Sequence, residues 1–267
     1  MKKNWFITGT SSGIGRIMTE KLLSQGDNVF ATLRKTEALN DLLTKYPNQI
    51  KIAHLELTNN DEIKSVVNLA FDEFGRIDVV VSNAGYGLFG AVEELSDEMI
   101  CQQLDVNLLG SIRLIKAVIP YMRNQTKGGH IIQVSSEGGQ IAYPGFSLYH
   151  ASKWGIEGFI ESMAKDLEPL NIKFNIAEPG PTGTNFGSSL IIAKAMDVYR
   201  NTPVNDLRKL IADGFGELDD VNEVAETIIN CANNQKTPLR IPIGNVAKSN
   251  IKTGLSERLT AFNEQQY

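Results

Sequence analysis

The sequence predicts an α/β protein, a single-domain doubly wound parallel β-sheet with helices on both faces. Three observations predict it. Strand-like and helix-like patterns alternate along most of the chain. A glycine-rich turn stands between the first strand and the first helix. Several strands are near-continuous apolar runs, Val79-Val80-Val81 being the densest, as strands buried on both faces must be.

The elements follow in order. Residues 4–8 form a short apolar strand, and residues 14–25 carry Ile14, Ile17, Met18 and Leu22 at helical spacing, closed by Gly26. A second strand covers 29–33, a helix over 37–45 stops before Pro47, and a third strand covers 50–55. A helix from about 61 to 74 ends at Gly75, and strand four is 77–82. One long helical pattern then covers about 98–122, followed by a strand at 129–135, a helix at about 148–167 and a sixth strand at 172–177. The tail adds a helix near 221–231 and a last short strand at 238–241. No linker, repeat or low-complexity tract divides residues 1–267, so one domain is expected. In such sheets ligands bind beyond the carboxyl ends of the strands, where the topology switches direction.

The chain has 267 residues, 42% of them hydrophobic and 21% charged, enough for a well-filled core. A net charge of -5 without any basic run argues against a nucleic-acid partner. No segment reaches the roughly 18 apolar residues that a membrane span needs, and no signal-sequence pattern follows Met1-Lys2-Lys3. A cytoplasmic protein with no membrane partner is expected. Cys101 and Cys231 stand far apart, and His54, His130 and His150 are scattered, so no metal site is expected.

The turn after the first strand reads Thr8-Gly9-Thr10-Ser11-Ser12-Gly13-Ile14-Gly15. Glycines there let the backbone turn sharply and approach a pyrophosphate, while the helix N-terminus supplies N–H donors and partial positive charge. Taken alone, the stretch could serve only to turn the chain. Further elements follow it in sequence: Ser82-Asn83-Ala84-Gly85 after strand four, Asn107 in the long helix, Ser136 after strand five, Tyr149-x-x-x-Lys153, and Pro179-Gly180 after strand six. With its T-G-x-x-x-G-x-G spacing, the set resembles the signature of the short-chain dehydrogenase/reductase family over residues 4 to about 186. Ser82 replaces the first Asn of that family's N-N-A-G. The resemblance implies a Rossmann-like fold and an oxidoreductase acting on CH–OH groups with NAD(P). The cofactor half would run to about residue 135, and the catalytic and substrate half from 136.

Tyr149 and Lys153 lie four apart at a helix start, so their side chains share one face. A phenol with a pKa of about 10 is a poor proton shuttle at neutral pH. An ammonium about 4 Å away contributes roughly 4 kcal/mol at an effective dielectric near 20, which would draw the phenol towards neutrality. The resemblance implies Tyr149 as acid/base, Lys153 as its cationic neighbour and ribose anchor, and Ser136 as the hydroxyl that polarises the carbonyl. It also implies that Asn107 supports a water-linked proton relay to Lys153; a buried polar residue without that role is the alternative. Ser135 competes with Ser136, whose thirteen-residue lead over Tyr149 matches the family spacing. His150 points off the face of Tyr149 and reads as structural or rim.

Gly9, Ser11, Ser12, Gly13, Ile14 and Gly15 are expected around the cofactor. Leu33 stands where NAD-preferring members carry Asp, and Arg34 and Lys35 follow it. A carboxylate there would repel a 2′-phosphate, whereas arginine grips one bidentately. NADP(H) is therefore expected, with Arg34 as leading contact and Ser11 or Lys35 assisting; a solvated loop is the alternative for the two cations. Glu56 and Leu57 correspond to the family's Asp-Val at the adenine, Glu56 being one methylene longer. Asn83, Ala84 and Gly85 would pass behind the ribose and nicotinamide, and Pro179, Gly180, Thr182 and Thr184 would meet the carboxamide.

The substrate is expected beneath loops 85–95, 137–146 and 186 to about 215, with Phe89, Tyr143, Phe146 and Phe186 as apolar walls, which suits a hydrophobic ketone, aldehyde or alcohol. The resemblance implies a homodimer or homotetramer through the helices at 98–122 and 148–167. Two rival readings stay open: an NAD-preferring alcohol or hydroxysteroid dehydrogenase, and a catalytically silent NADP-binding sensor.

Overall fold

Successive residues of a strand face opposite sides of a sheet, and the first strand sorts its apolar side chains accordingly. Trp5 and Ile7 enter one core cluster and Phe6 the other. The same division separates Val29 and Ala31 from Phe30, and Val79 and Val81 from Val80. Both faces of the sheet are therefore covered. The computed structural model describes residues 2–184, 186–187, 189–214, 216–234 and 236–265.

In chain order the elements are β1 (Asn4–Thr8), α1 (Gly13–Ser24), β2 (Asn28–Leu33), α2 (Asn40–Lys45), β3 (Ile50–His54), α3 (Asn60–Phe74), β4 (Val79–Ser82) and β5 (Leu88–Phe89). There follow α4 (Asp97–Leu104), α5 (Ser111–Asn124), β6 (Gly129–Val134), α6 (Ser147–Leu167), β7 (Ile172–Pro179) and β8 (Ile191–Ile192). The chain continues through α7 (Pro203–Ala212), α8 (Val221–Cys231), β9 (Arg240–Ile243) and α9 (Asn245–Asn263). Seven strands form one parallel sheet in the order β3-β2-β1-β4-β6-β7-β9. Helices α1 and α8 pack on one face; α3, α5 and α6 pack on the other. The order reverses at β1 and β4, so the ends of these strands open a crevice between the connections that leave in opposite directions.

The expected single-domain parallel architecture is present, with differences in detail. The helix expected over 37–45 begins as a 3₁₀ turn at Thr36–Leu39. The long helix expected over 98–122 is two α-helices joined by a π-helical turn at Asp105–Gly110. Its wider winding shifts the residues that face inward, and Asn107 becomes buried within it.

Three features escaped the sequence reading: the β5–β8 pair, α7 and α9. Leu88 and Phe89 pair in parallel with Ile191 and Ile192, joining two loops that are far apart in sequence. Glu94 reinforces the link. Its buried carboxylate accepts from the backbone N–H of Ala91 and of Met196, both at 2.8 Å, and pairs with Arg208 of α7. Two-residue strands carry too little pattern to be seen in sequence, and their stability comes from this neighbouring clamp.

His130 of β6 gives the fold a pH dependence. Its Nε2–H donates to Asn175 Oδ1 of β7 at 2.7 Å, and burial, reinforced by Lys173 and Lys3, pushes the imidazole down to about 4. The unfolded chain therefore binds more protons than the folded one between about pH 6.5 and 4. Stability is complete above about 6.5 and falls through that window by up to about 3 kcal/mol. Denaturant unfolding at a series of pH values is expected to show this slope, and His130→Asn is expected to remove that part of it.

Candidate active site

The glycine turn owes its shape to close backbone contact. Gly9 has a φ of 72°, a left-handed conformation that favours glycine, and a Cβ on Gly15 would lie 2.3 Å from the Gly9 carbonyl oxygen. Thr8 and Asn83 stitch the turn to the end of β4. The Thr8 hydroxyl accepts from the N–H groups of Asn83 and Ala84 at 2.9 and 3.0 Å, while Asn83 Nδ2 donates to the carbonyls of Thr8 and Gly9 at 2.8 and 3.1 Å. Ser12 caps α1 in extended conformation without a side-chain cap bond, so the first N–H groups of the helix keep their capacity to bind an anion.

Above the carboxyl ends of the strands lies a cavity of about 890 Å³. One end is lined by Gly9, Ser11, Ser12, Gly13, Ile14, Leu33, Arg34, Glu56 and Leu57; the middle by Asn83, Ala84, Gly85, Ser136, Tyr149 and Lys153; and the floor by Pro179, Gly180, Thr182 and Thr184. These expected site residues thus share one space. Gly15 does not line it: the residue is buried behind the turn, where its lack of a side chain admits Gly9 and Asn83. Lys35 is also absent from the lining.

Tyr149 and Lys153 project from the first turns of α6. Lys153 Nζ donates to the Val134 carbonyl at 3.1 Å and lies 5.6 Å from the centre of the Tyr149 ring. Ser136 caps the 3₁₀ turn Glu137–Gly139, accepting from the Gly138 N–H at 3.1 Å, and is hydrogen-bonded to Tyr149. Ser135 is committed elsewhere, since its hydroxyl donates to Glu157 at 2.6 Å. That separates the two competing serines.

The expectation that Lys153 draws the phenol towards neutrality is corrected. Burial pushes Tyr149 up to about 12; the Ser136 hydrogen bond opposes this and the charge of Glu137 adds to it. Lys153 is pushed down to about 8 by the same burial, against the pull of Glu157. Enclosure costs either group more in its charged form than charge attraction returns. The phenol consequently keeps its proton through neutral pH.

Asn107 stands outside the cavity wall. Its Oδ1 accepts from the Tyr86 N–H at 3.1 Å and its Nδ2 donates to the Tyr86 carbonyl at 2.8 Å, with Ser152 Oγ at 3.5 Å. It therefore pins the segment after Gly85. His150 donates from Nδ1 to the Gly138 carbonyl and accepts at Nε2 from the Tyr143 N–H, both at 2.8 Å, which makes it a neutral brace for the loop.

Of the expected apolar walls, Tyr143, Phe146 and Phe186 line the cavity, together with Leu207, Leu210 and Leu218. Phe89 does not: it is fully buried, packed edge-on against Phe146 with ring centres 5.1 Å apart. Phe215, where the third loop was expected to end, lies outside the described residues. Sequence reasoning also missed Glu137 and Asn250. Glu137 accepts from the Tyr143 hydroxyl at 2.9 Å and from Asn250 Nδ2 at 3.1 Å. Asn250 comes from α9, and no motif marks it in the sequence.

A methyl group added at Gly15 has no room between Gly9 and Asn83. Gly15→Ala is expected to cost about 1–3 kcal/mol, the usual range for overpacking, and to weaken nicotinamide-nucleotide binding. Thermal unfolding and fluorescence titration of the variant would check both.

The short chain dehydrogenase family profile matches residues 3–195. The oxidoreductase BOA17 of Botryotinia fuckeliana is 37% identical over 246 residues, covering 91% of this chain and 89% of its own. Retinol dehydrogenase 8 of Bos taurus is 32% identical over 256 residues, covering 88% and 79%. The crystal structure of a short-chain dehydrogenase from Streptomyces avermitilis, 34% identical, superimposes with a TM-score of 0.92 over 98% of this chain and 95% of that one. The chain belongs to the short-chain dehydrogenase/reductase family of oxidoreductases.

Proposed function

We propose that the protein is an NADP(H)-dependent reductase of an apolar ketone or aldehyde, reversibly oxidising the corresponding alcohol, with Ser136, Tyr149, Lys153 and Asn107 as its catalytic set. The observation that carries this reading is the convergence of Ser136, Tyr149 and Lys153 on one cavity, alongside the glycine turn and the open N-terminus of α1. A protonated phenol is a general acid, as carbonyl reduction requires.

The cavity suits a dinucleotide by its donors and its close-packed turn. The open N-terminus of α1, with Ser11, Ser12, Gly13 and Ile14 beside it, would receive the pyrophosphate. Arg34 would pair with a 2′-phosphate, and Leu33 leaves no carboxylate in its way. Glu56 and Leu57 would border the adenine; Asn83, Ala84 and Gly85 the ribose; and Pro179, Gly180, Thr182 and Thr184 the nicotinamide amide. When bound, NADP(H) supplies the hydride for reduction.

The chain's own residues account for the rest of the reaction. Ser136 donates a hydrogen bond to the carbonyl oxygen, and Tyr149 delivers its proton to that oxygen as charge develops there. The Lys153 ammonium stabilises the resulting phenolate and would hold the ribose hydroxyls of the cofactor. Asn107, through the segment it pins and its contact near Ser152, supports the return of a proton from water. Tyr143, Phe146, Phe186 and the three leucines favour a substrate with an apolar body. The family resemblance further supports assembly as a homodimer or homotetramer through α4, α5 and α6. No described helix is long and apolar enough to cross a membrane.

NADPH oxidation measured against a chemically diverse carbonyl panel tests the reading. Tyr149→Phe is expected to lose about 10²- to 10⁴-fold in turnover while still binding NADPH. Tight NADPH binding without turnover of any carbonyl would sink the reductase and favour a cofactor sensor. For cofactor choice, Arg34→Leu is expected to weaken NADPH binding about 10- to 100-fold and leave NADH binding nearly unchanged. Equal loss for both would return Arg34 to the solvated surface.

A further inference from the structure

Behind the cavity, on the same helix as Tyr149 and Lys153, lies a second cluster of ionisable groups that the proposed reaction does not use. Glu157 follows Lys153 by four residues on α6 and is 2% exposed, while Glu178 at the end of β7 is fully buried. The two acids meet. Gln140 Nε2 donates to both oxygens of Glu178 at 2.8 and 2.9 Å, and Ser135 donates to Glu157 at 2.6 Å. One guanidinium serves both: Arg240 of β9 lies 3.3 Å from Glu157 and 3.6 Å from Glu178, with its other arm on Glu161 at 2.8 Å. Two buried carboxylates cannot both ionise cheaply beside one shared cation, so the pair retains a proton held between them. Burial and the neighbouring Glu157 charge push Glu178 up to about 8.

The pair is bound to the catalytic elements at adjacent positions. Lys153 is held by the carbonyl of Val134 and Glu157 by the hydroxyl of Ser135, the next residue along the chain. The turn that carries Ser136 also closes on Glu157, since a Cβ on Gly139 would lie 1.8 Å from its Oε1. The ionisable groups around Lys153 and the pair are Tyr149, Glu157 and Glu161 from α6, Glu178 from β7, Arg240 from β9 and Glu137 from the 3₁₀ turn. Among the described residues, Glu157 is the acid whose charge favours the Lys153 ammonium.

We propose that Glu157 is a positioning residue for Lys153: sharing a proton with Glu178 and anchored by Ser135 and Arg240, its carboxylate keeps the buried lysine an ammonium. The proposal rests on the reading of Lys153 as the cation of the catalytic set. It gives the buried acids a purpose beyond packing, because a neutral lysine could not stabilise the Tyr149 phenolate. Glu178 shares its proton with Glu157, and Arg240 lies nearer to Glu157 than to Glu178, so the negative charge of the pair sits on the acid of α6.

The test is a pH titration of the full-length protein labelled with ¹³C at the lysine ε-carbon, with the Lys153 signal assigned by its absence from Lys153→Arg. The wild-type midpoint is expected near 8. Glu157→Gln is expected to lower it by about one pH unit or more, and Glu157→Asp, which withdraws the charge by one methylene, by less. The alkaline limb of carbonyl reduction is expected to move in the same direction and order. An unmoved Lys153 midpoint in Glu157→Gln overturns the proposal, even if stability falls. Where Glu157→Gln does not fold, an unmoved midpoint in Glu157→Asp overturns it. The titration is read without turnover, so an enzyme that reduced no carbonyl would refute the proposed reaction and leave this result standing.

Discussion

The junction between β1 and β4 is the constraint on which the site depends. At this point the parallel sheet changes the direction in which it winds, and the two strand ends would drift apart without a tie. Thr8 and Asn83 supply it, through four hydrogen bonds in which the side chain of each binds the backbone of the other strand's end. Because the carbonyls of Thr8 and Gly9 are occupied by Asn83, the glycine turn cannot relax towards the sheet. It therefore presents its helix N-terminus to the cavity, and every residue of the proposed cofactor site is placed relative to that tie.

The rest of the site is shaped by burial acting on charge. Tyr149 is driven to keep its proton and Lys153 to lose one. The groups that oppose these shifts are few and local: Ser136 for the phenol, Glu157 for the ammonium. Ser135 and Ser136, neighbours at the end of β6, turn to opposite sides because extended backbone alternates its side chains. One joins the acid pair behind the cavity and the other faces the phenol. A two-serine strand end thereby serves both networks.

Most of the sheet was legible in the sequence because buried parallel strands and amphipathic helices each carry a period, and β1 and α8 match the expected bounds. The cluster of Ser136, Tyr149 and Lys153 was legible through the family resemblance, since the spacing of four by itself places only Tyr149 and Lys153 on one helix face. What escaped was non-periodic or long-range. The π-turn around Asn107 leaves the apolar pattern of a continuous helix intact, Asn250 lies on a helix with a weak apolar face, and Gly15 carries no mark to distinguish packing from ligand contact. Phe89 and Phe146 look alike as loop aromatics, yet only their packing order decides which one reaches the cavity. The phenol's charge state depended on a balance of burial and attraction that spacing alone cannot supply.

The two-stranded ribbon of β5 and β8 bears on how molecules enter and leave. Its hydrogen bonds join Ile191 to the Gly87 carbonyl at 3.0 Å and Ala193 to the Phe89 carbonyl at 2.8 Å, and the Glu94–Arg208 pair extends the join to α7. The segment after Gly85 and the segment that carries Leu207 and Leu210 are thus fastened into one panel. Because both sides of the apolar chamber hang from the same ribbon, neither can shift away from the cavity without breaking these bonds or carrying the other side with it.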